Sequence, residues 1–381
     1  MKLGVIASEF FDPAMGRMGG FGWAARQLAQ TFQKHPELGV ELVFIASDIQ
    51  EQVGQTDTTV HGARVILRAP SRLANLIKMR RERFDLLLAI DYHLPYSVYL
   101  RSLPRTPAII WSRDPRPPED VVEIYTCRIP GEVNAEPQGL FCFDGRSMRQ
   151  IVSEAWFFRR KLYFATPAPT LLSKLGASFG VEPPVCYFLP NIIAPHPGTI
   201  AKSEIPTVVF LGRLDPIKRP WLFVALARRF PHVEFLMLGQ PHFHGTGGYA
   251  PSSLPSNVRV HGHVGETEKL RILSQAWVTV NTSIHEGFPV SFFESFACET
   301  VVLSGTDADY AASRFGHFYG RFDGTGEAGM DAMELGLRRL LENHDLRRGM
   351  GRAARLWVNS QHCEESFLAA FHRLRSLAGV A

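Results

Sequence analysis

Two glutamates bracket a short turn in the run Ser283-Ile284-His285-Glu286-Gly287-Phe288-Pro289-Val290-Ser291-Phe292-Phe293-Glu294. Trp277–Asn281 before it reads as a buried strand, and Val290–Cys298 after it as an apolar helix packed inside a domain. Gly287 frees the backbone of the turn, and Pro289 suits the first helical position because it has no N–H to leave unpaired. Glu286 then lies before the helix, and Glu294 about one and a half turns into it. The first-turn N–H groups face outward and make a weakly positive anion site. Carboxylates accept from hydroxyls while a helix start donates to phosphate, so a nucleotide sugar meets both needs here. Glutamates at such positions also serve simply as caps or dipole partners.

A second set of charges stands upstream. Thr207–Leu211 is an apolar strand, followed by Gly212-Arg213-Leu214-Asp215-Pro216-Ile217-Lys218-Arg219-Pro220. Arginine grips a diphosphate bidentately, and lysine adds a compact charge. At the other end of the chain, strand 2–7 leads into a loop with Gly16, Gly19, Gly20 and Gly22, then a helical pattern from near Trp23 to Phe32. Strand, glycine-rich turn and helix make a phosphate cradle, but the spacing is not G-x-G-x-x-G. No acidic residue closes the next strand, which argues against a dehydrogenase.

These groups need a scaffold that alternates strand and helix. Further strands are read at Glu41–Ser47, Ala63–Arg68, Asp85–Ile90, Ala108–Trp111 and Leu162–Thr166. Such βα alternation implies a parallel, doubly wound sheet whose ligands bind at the carboxyl ends of the strands. His93 lies in one of those loops, Asp91–Tyr96, as does Asp91. Six prolines between Glu182 and Pro206 read as a linker. The βα rhythm then resumes with Thr207–Leu211, Glu234–Leu238, Asn257–Val264 and Thr300–Ser304. Residues 1–195 and 200–359 are therefore expected as two domains. Residues 112–160 follow no period and are read as either an acceptor-side element or a cover for the sheet. Glu364–Leu377 carries Phe367, Leu368, Phe371, Leu374 and Leu377 at helical spacing.

The pattern from Glu286 to Glu294 resembles the E-x7-E motif of retaining GT-B glycosyltransferases of family 4, which often read "EGFP". "GRLDPIK" resembles that family's G-R-L-x-x-x-K signature, Asn257–Val264 its "NVxFxGxV" segment, and Leu189-Pro190-Asn191 its "IPNG" hinge. The resemblance implies an α/β GT-B fold, two Rossmann-like doubly wound domains facing across a cleft, with the helix in 360–381 packing back on the first. It implies hexosyl transfer from a UDP-, GDP- or ADP-sugar to a glycan, lipid-linked or small-molecule acceptor. It implies no cofactor and no metal. Donor contacts fall on Gly19, Gly20, Arg213, Lys218, Val264, Glu286, Gly287, Phe288, Pro289, Val290 and Glu294. Arg213 and Lys218 would neutralise the diphosphate, Glu286 would bind the sugar and Glu294 the ribose, with His93 facing the sugar. The pattern breaks at Ala297-Cys298-Glu299, where a glycine is usual, and at Gly305–Asp309, where Gly-Gly-x-x-Glu is common. A nucleotide-sugar epimerase, a phosphorylase or a non-catalytic nucleotide-sugar-binding scaffold would share the architecture.

Composition bounds the rest. The 381 residues are 45% apolar and 20% charged, a folded profile long enough for two cores. A net charge of +4 gives no case for nucleic acid. Cys127, Cys142, Cys186, Cys298 and Cys363 are scattered without metal-ligand spacing, and His242 and His244 lack a carboxylate partner. The first residues are too short an apolar run for a signal peptide, and no stretch reaches the ~20 apolar residues of a membrane span. A cytoplasmic protein is expected. Arg72, Lys78, Arg80, Arg81 and Arg83 beside Leu73, Leu76, Ile77 and Met79 form the surface a peripheral contact with the inner membrane face would use; a solvated helix face has the same composition.

Overall fold

The computed structural model describes residues 1–12, 19–47, 56–131, 145–182, 185–241, 248–251 and 253–380. In chain order the elements are β1 (Lys2–Ala7), α1 (Gly20–Lys34), β2 (Glu41–Ala46), β3 (Thr58–Val60), β4 (Ala63–Ile66), α2 (Arg72–Glu82) and β5 (Leu86–Ile90). There follow α3 (Tyr96–Ser102), β6 (Ala108–Trp111), α4 (Pro118–Thr126), α5 (Gly145–Phe157), β7 (Leu162–Thr166), α6 (Leu171–Phe179) and β8 (Cys186–Phe188). Then come β9 (Thr207–Leu211), α7 (Pro220–Arg229), β10 (Glu234–Leu238), β11 (Val258–Gly262), α8 (Glu266–Gln275), β12 (Val278–Asn281) and α9 (Val290–Ala297). The last are β13 (Val301–Ser304), α10 (Ala311–Phe315), β14 (Gly316–Phe318), α11 (Met330–Glu342), α12 (His344–Gln361) and α13 (Glu364–Ala378).

The chain forms two compact units. The first holds the described residues of Met1–Pro117, Phe141–Ile192 and His362–Ala381, and the second those of Pro118–Leu140 and Ile193–Gln361. Unit 1 is built on one sheet in the order β3-β4-β2-β1-β5-β6-β7-β8, parallel except for β3 against β4. β5 is buried at every position, as a central parallel strand covered on both faces must be. The β3–β4 hairpin turns through His61 (φ 51°) and Gly62 (φ 77°), the paired positive φ angles of a tight two-residue turn. Thr58–Val60 was too short to read as a strand from sequence. β8 corrects the reading of 182–206 as pure linker: Cys186–Phe188 adds an edge strand to β7, where prolines on either side cost no ladder bonds.

The first helix begins at Gly20 rather than near Trp23, with Gly19 as its N-cap. Glu9 Oε2 accepts from the Gly22 N–H at 3.3 Å, so a carboxylate already lies at this helix start. Gly22 is the glycine whose backbone geometry is required. A Cβ there would lie 2.4 Å from the Phe11 amide nitrogen, while one at Gly19 would meet only the movable end of Glu9. Helix α13 is part of unit 1. Phe371 packs edge-on to Phe32, Phe367 against Trp111, and Glu364 accepts from Thr31 Oγ1 at 2.9 Å.

Unit 2 is an all-parallel sheet in the order β11-β10-β9-β12-β13-β14. Alternate residues of β9 feed opposite faces: Val208 and Phe210 join one core cluster, Val209 and Leu211 the other. Helix α4 belongs here. Cys127 and Ile129, just beyond it, are buried in the core with Val208 and Phe210, so residues 118–131 pack with unit 2 although they precede the last strands of unit 1.

Candidate active site

β9 and β12 are neighbours at the centre of the unit 2 sheet. The chain leaves β9 toward β10 on one side and β12 toward β13 on the other. Their carboxyl ends form a topological switch point, where open α/β sheets bind ligands. The loops holding Arg213–Arg219 and Thr282–Phe288 both start there.

Backbone and side chain stitch these two loops together. The Ile284 N–H donates to Ile217 O at 3.0 Å, and Thr282 Oγ1 donates to Lys218 O at 2.5 Å. Arg219, buried and at φ 43°, donates Nε to Thr282 O at 2.7 Å, Nη2 to Ser283 O at 3.2 Å and Nη1 to Phe322 O at 2.5 Å. Local sequence does not single Arg219 out, because Arg213 and Lys218 stand beside it in the same charged segment. Its flanking Pro220, which starts α7, was the available sign that the chain turns inward here.

Lys218 Nζ lies 2.6 Å from Glu286 Oε1, which also accepts from Ser283 Oγ at 2.6 Å and Asn281 Nδ2 at 3.0 Å. Three donors therefore converge on one oxygen, and Oε2 accepts no hydrogen bond from a described residue. Burial alone would raise this carboxyl, whose side chain is 10% exposed. The charge of Lys218 and the three hydrogen bonds outweigh it and hold the group below its ordinary value. Arg213 sits at the rim, 36% exposed, with Nε 3.4 Å from Asp215. Its guanidinium makes no hydrogen bond to a described residue.

Helix α9 starts at Val290, one residue later than the sequence suggests. Pro289 is the N-cap, with ψ 128° outside the helical range, and gives no side-chain cap. The helix is clamped by aromatic packing around Trp357: Phe293 stacks on it at 6.0 Å, and Phe288, Phe296 and Phe315 surround it. At its far end Glu299 takes φ 53°, the left-handed position that glycine usually fills. Glu294 is buried, with Oε1 2.5 Å from Lys269 Nζ on α8. Desolvation opposes the charge on Lys269, but Glu294 and Glu266 raise its pKa overall. Val264, just before α8, packs against the core cluster that holds Val209. Gly305–Asp309 forms a turn in which Asp307 accepts from the Ser313 N–H at 3.0 Å, so its carboxylate holds the start of α10.

His285, next to Glu286, is buried with Nδ1 2.8 Å from Asp120 Oδ2 on α4; Asp120 Oδ1 also accepts from Arg321 at 2.8 Å. Cys127 Sγ lies 3.3 Å from Pro216 O. Residues 118–131 thus brace both site loops from outside, a role no local pattern announced.

In unit 1, Gly19 and Gly20 start α1, and Phe21 meets His93 edge-on with ring centroids 5.6 Å apart. His93 is buried. Asp91, at φ 63°, accepts from the amides of Tyr92 (2.9 Å), Arg113 (3.3 Å) and Asp114 (2.7 Å), tying the β5 loop to the β6 loop. Burial first, then the charge of Asp114, pushes its carboxyl up to about 7. Gly16, His242, His244, Gly247, Cys142 and the stretch 132–144 of the irregular segment lie outside the described residues.

Residues 196–357 match the family model for glycosyl transferases group 1. Sucrose-phosphate synthase from Thermosynechococcus elongatus has a similar structure, with TM-score 0.71 at 16% identity over 100% of this chain and 99% of that one. Anabaena Alr3699/HepE, solved in complex with UDP-glucose, gives 0.65 at 14% over 99% and 100%. The lipopolysaccharide outer core galactosyltransferase WaaB gives 0.61 at 12% over 98% and 99%. None of the curated proteins compared with the chain matches it in sequence. With the switch-point loops falling inside the segment that matches the glycosyl transferases group 1 model, the chain has the GT-B fold of two Rossmann-like units.

Proposed function

We propose that the protein is a retaining, metal-independent hexosyltransferase of family 4 type that uses a nucleoside-diphosphate sugar. The observation that carries this reading is Glu286. One of its oxygens is saturated by Lys218, Ser283 and Asn281, while the other is left for a sugar hydroxyl, in the same switch point as Arg213. Arg213, Lys218 and the uncapped start of α9 would stabilise charge on the departing diphosphate by preorganised electrostatics. Gly287, Phe288, Pro289 and Val290 would line the sugar and phosphate side. Val264 would meet the base through its backbone, and Glu294 the ribose. Gly19, Gly20 and His93 would act from unit 1. No residue stands out as a covalent nucleophile, which agrees with same-face transfer assisted by the leaving phosphate.

UDP-glucose is the first donor to try, since HepE was solved with it. Hydrolysis of UDP-, GDP- and ADP-hexoses by the intact protein should show one preferred base. Arg213→Ala should lower that hydrolysis about 100-fold with the fold retained. Turnover unaffected by Arg213→Ala, or none with any donor, would favour the non-catalytic scaffold.

A lipid-linked acceptor would bring the protein to the inner membrane face through α2. Leu73 is 66% and Ile77 43% exposed beside exposed Arg80 and Arg81. No helix among the described residues is long and apolar enough to cross a membrane. Sedimentation with anionic vesicles should fall at least fivefold in Leu73→Glu/Ile77→Glu, and unchanged sedimentation would remove α2 as the contact.

A further inference from the structure

Unit 2 has a concave site at the edge of its sheet away from Lys218 and Glu286. Parallel strands put all amino ends together, so Ser203 before β9, Trp277 before β12 and Thr300 before β13 share an edge opposite Lys218 and Glu286. A cleft of about 890 Å³ opens there, lined by four arginines (Arg347, Arg348, Arg352 and Arg355) together with His344 and Lys202, whose ammonium is pushed down to about 7 by burial, and by one carboxylate, Glu299.

The lining is built rather than incidental. The Trp277 indole N–H donates to Ser203 O at 2.8 Å, fixing the ring. Buried Arg347 lies over that ring at 3.9 Å, with Nη1 donating to Leu340 O at 2.6 Å and Leu341 O at 3.0 Å. Lys202 Nζ is held by Cys298 O at 2.8 Å and Thr300 Oγ1 at 2.7 Å. Arg355 pairs with Glu299 at 3.1 Å, the residue standing where glycine is usual. Arg348 and Arg352, exposed and one helical turn apart on α12, make no ion pair with a described residue. Like charges at that spacing repel, and α12 also turns its positive N-terminal end toward the cleft at His344. An anion with several charges would relieve both.

We infer that this cleft binds a ligand bearing clustered phosphates, at a site separate from the donor. Arginine forks suit phosphate oxygens, and the space exceeds what a single inorganic ion fills. The ligand would be either a soluble polyphosphorylated metabolite or the phosphates of a lipid surface.

Titration calorimetry of the intact protein with inorganic tripolyphosphate, and sedimentation with phosphatidylglycerol vesicles, separate the two. Arg348→Ala/Arg352→Ala removes two exposed cations that make no ion pair with a described residue, so the fold should persist, which a melting curve checks. A soluble ligand predicts tripolyphosphate binding weakened at least tenfold in the double variant and retained in Lys218→Ala. A lipid source predicts that vesicle binding, rather than tripolyphosphate binding, falls tenfold in the double variant. Neither probe binding, binding unchanged by the double variant, or tripolyphosphate binding lost only in Lys218→Ala would each overturn the inference.

Discussion

Lys218→Ala should lower donor turnover about 10²–10³-fold and destabilise unit 2 by about 3 kcal/mol, because one substitution removes a phosphate-facing cation and strands a largely buried carboxylate. The partner left behind is Glu286, whose Oε1 keeps only the neutral donors Ser283 and Asn281. The pH dependence follows from its depressed pKa. In the native protein this carboxyl contributes stability that is present above the ordinary glutamate range and lost as pH falls through the lower folded value. Without Lys218, burial prevails and the folded pKa rises above the ordinary value. Glu286 then costs stability at neutral pH, and the cost is relieved as the group protonates. Urea unfolding should therefore show the gap between native and Lys218→Ala widest at pH 7 and narrowing toward pH 4. Glu286→Gln in the Lys218→Ala background should recover most of the stability and none of the turnover. A gap independent of pH would mean that the ion pair is not what holds the carboxylate in place.

Arg219→Ala should cost about 4 kcal/mol, more than most substitutions in the chain. Its guanidinium satisfies Thr282 O, Ser283 O and Phe322 O, carbonyls on two separate loops. Removing it leaves those acceptors without partners and frees the loop that carries Glu286. Arg219→Lys should rescue little, since one ammonium cannot span a planar fork's three contacts. The left-handed φ of 43° makes the backbone indifferent between these substitutes, so the difference reports the side chain. Denaturant midpoints, with donor hydrolysis measured well below the transition, check both parts. A loss under 1 kcal/mol would show that the loops hold without this tether.

The βα alternation was legible because central parallel strands are continuous apolar runs. β1, β6, β7, β9 and β10 fall at the residues expected for them. Shorter edge strands such as β3 and β8 were not, since three residues carry no period and prolines argue against a strand. The groups of the candidate site that lie in one local motif, Arg213 with Lys218 and Glu286 with Pro289, could be picked out in the same way. That Lys218 reaches Glu286 could not, because they are 68 positions apart.

What the order of residues determined by itself was the repertoire: which stretches must be buried, where the chain must turn, and which charges sit at strand ends. Tertiary structure decided the pairings. Glu294 with Lys269, His285 with Asp120 across 165 positions, and the arginines of α12 around Trp277 each depend on how helices lie against one sheet. Local periodicity records burial, a property of single residues. A salt bridge or a charged cleft is a property of pairs, and only the packed chain brings pairs within reach.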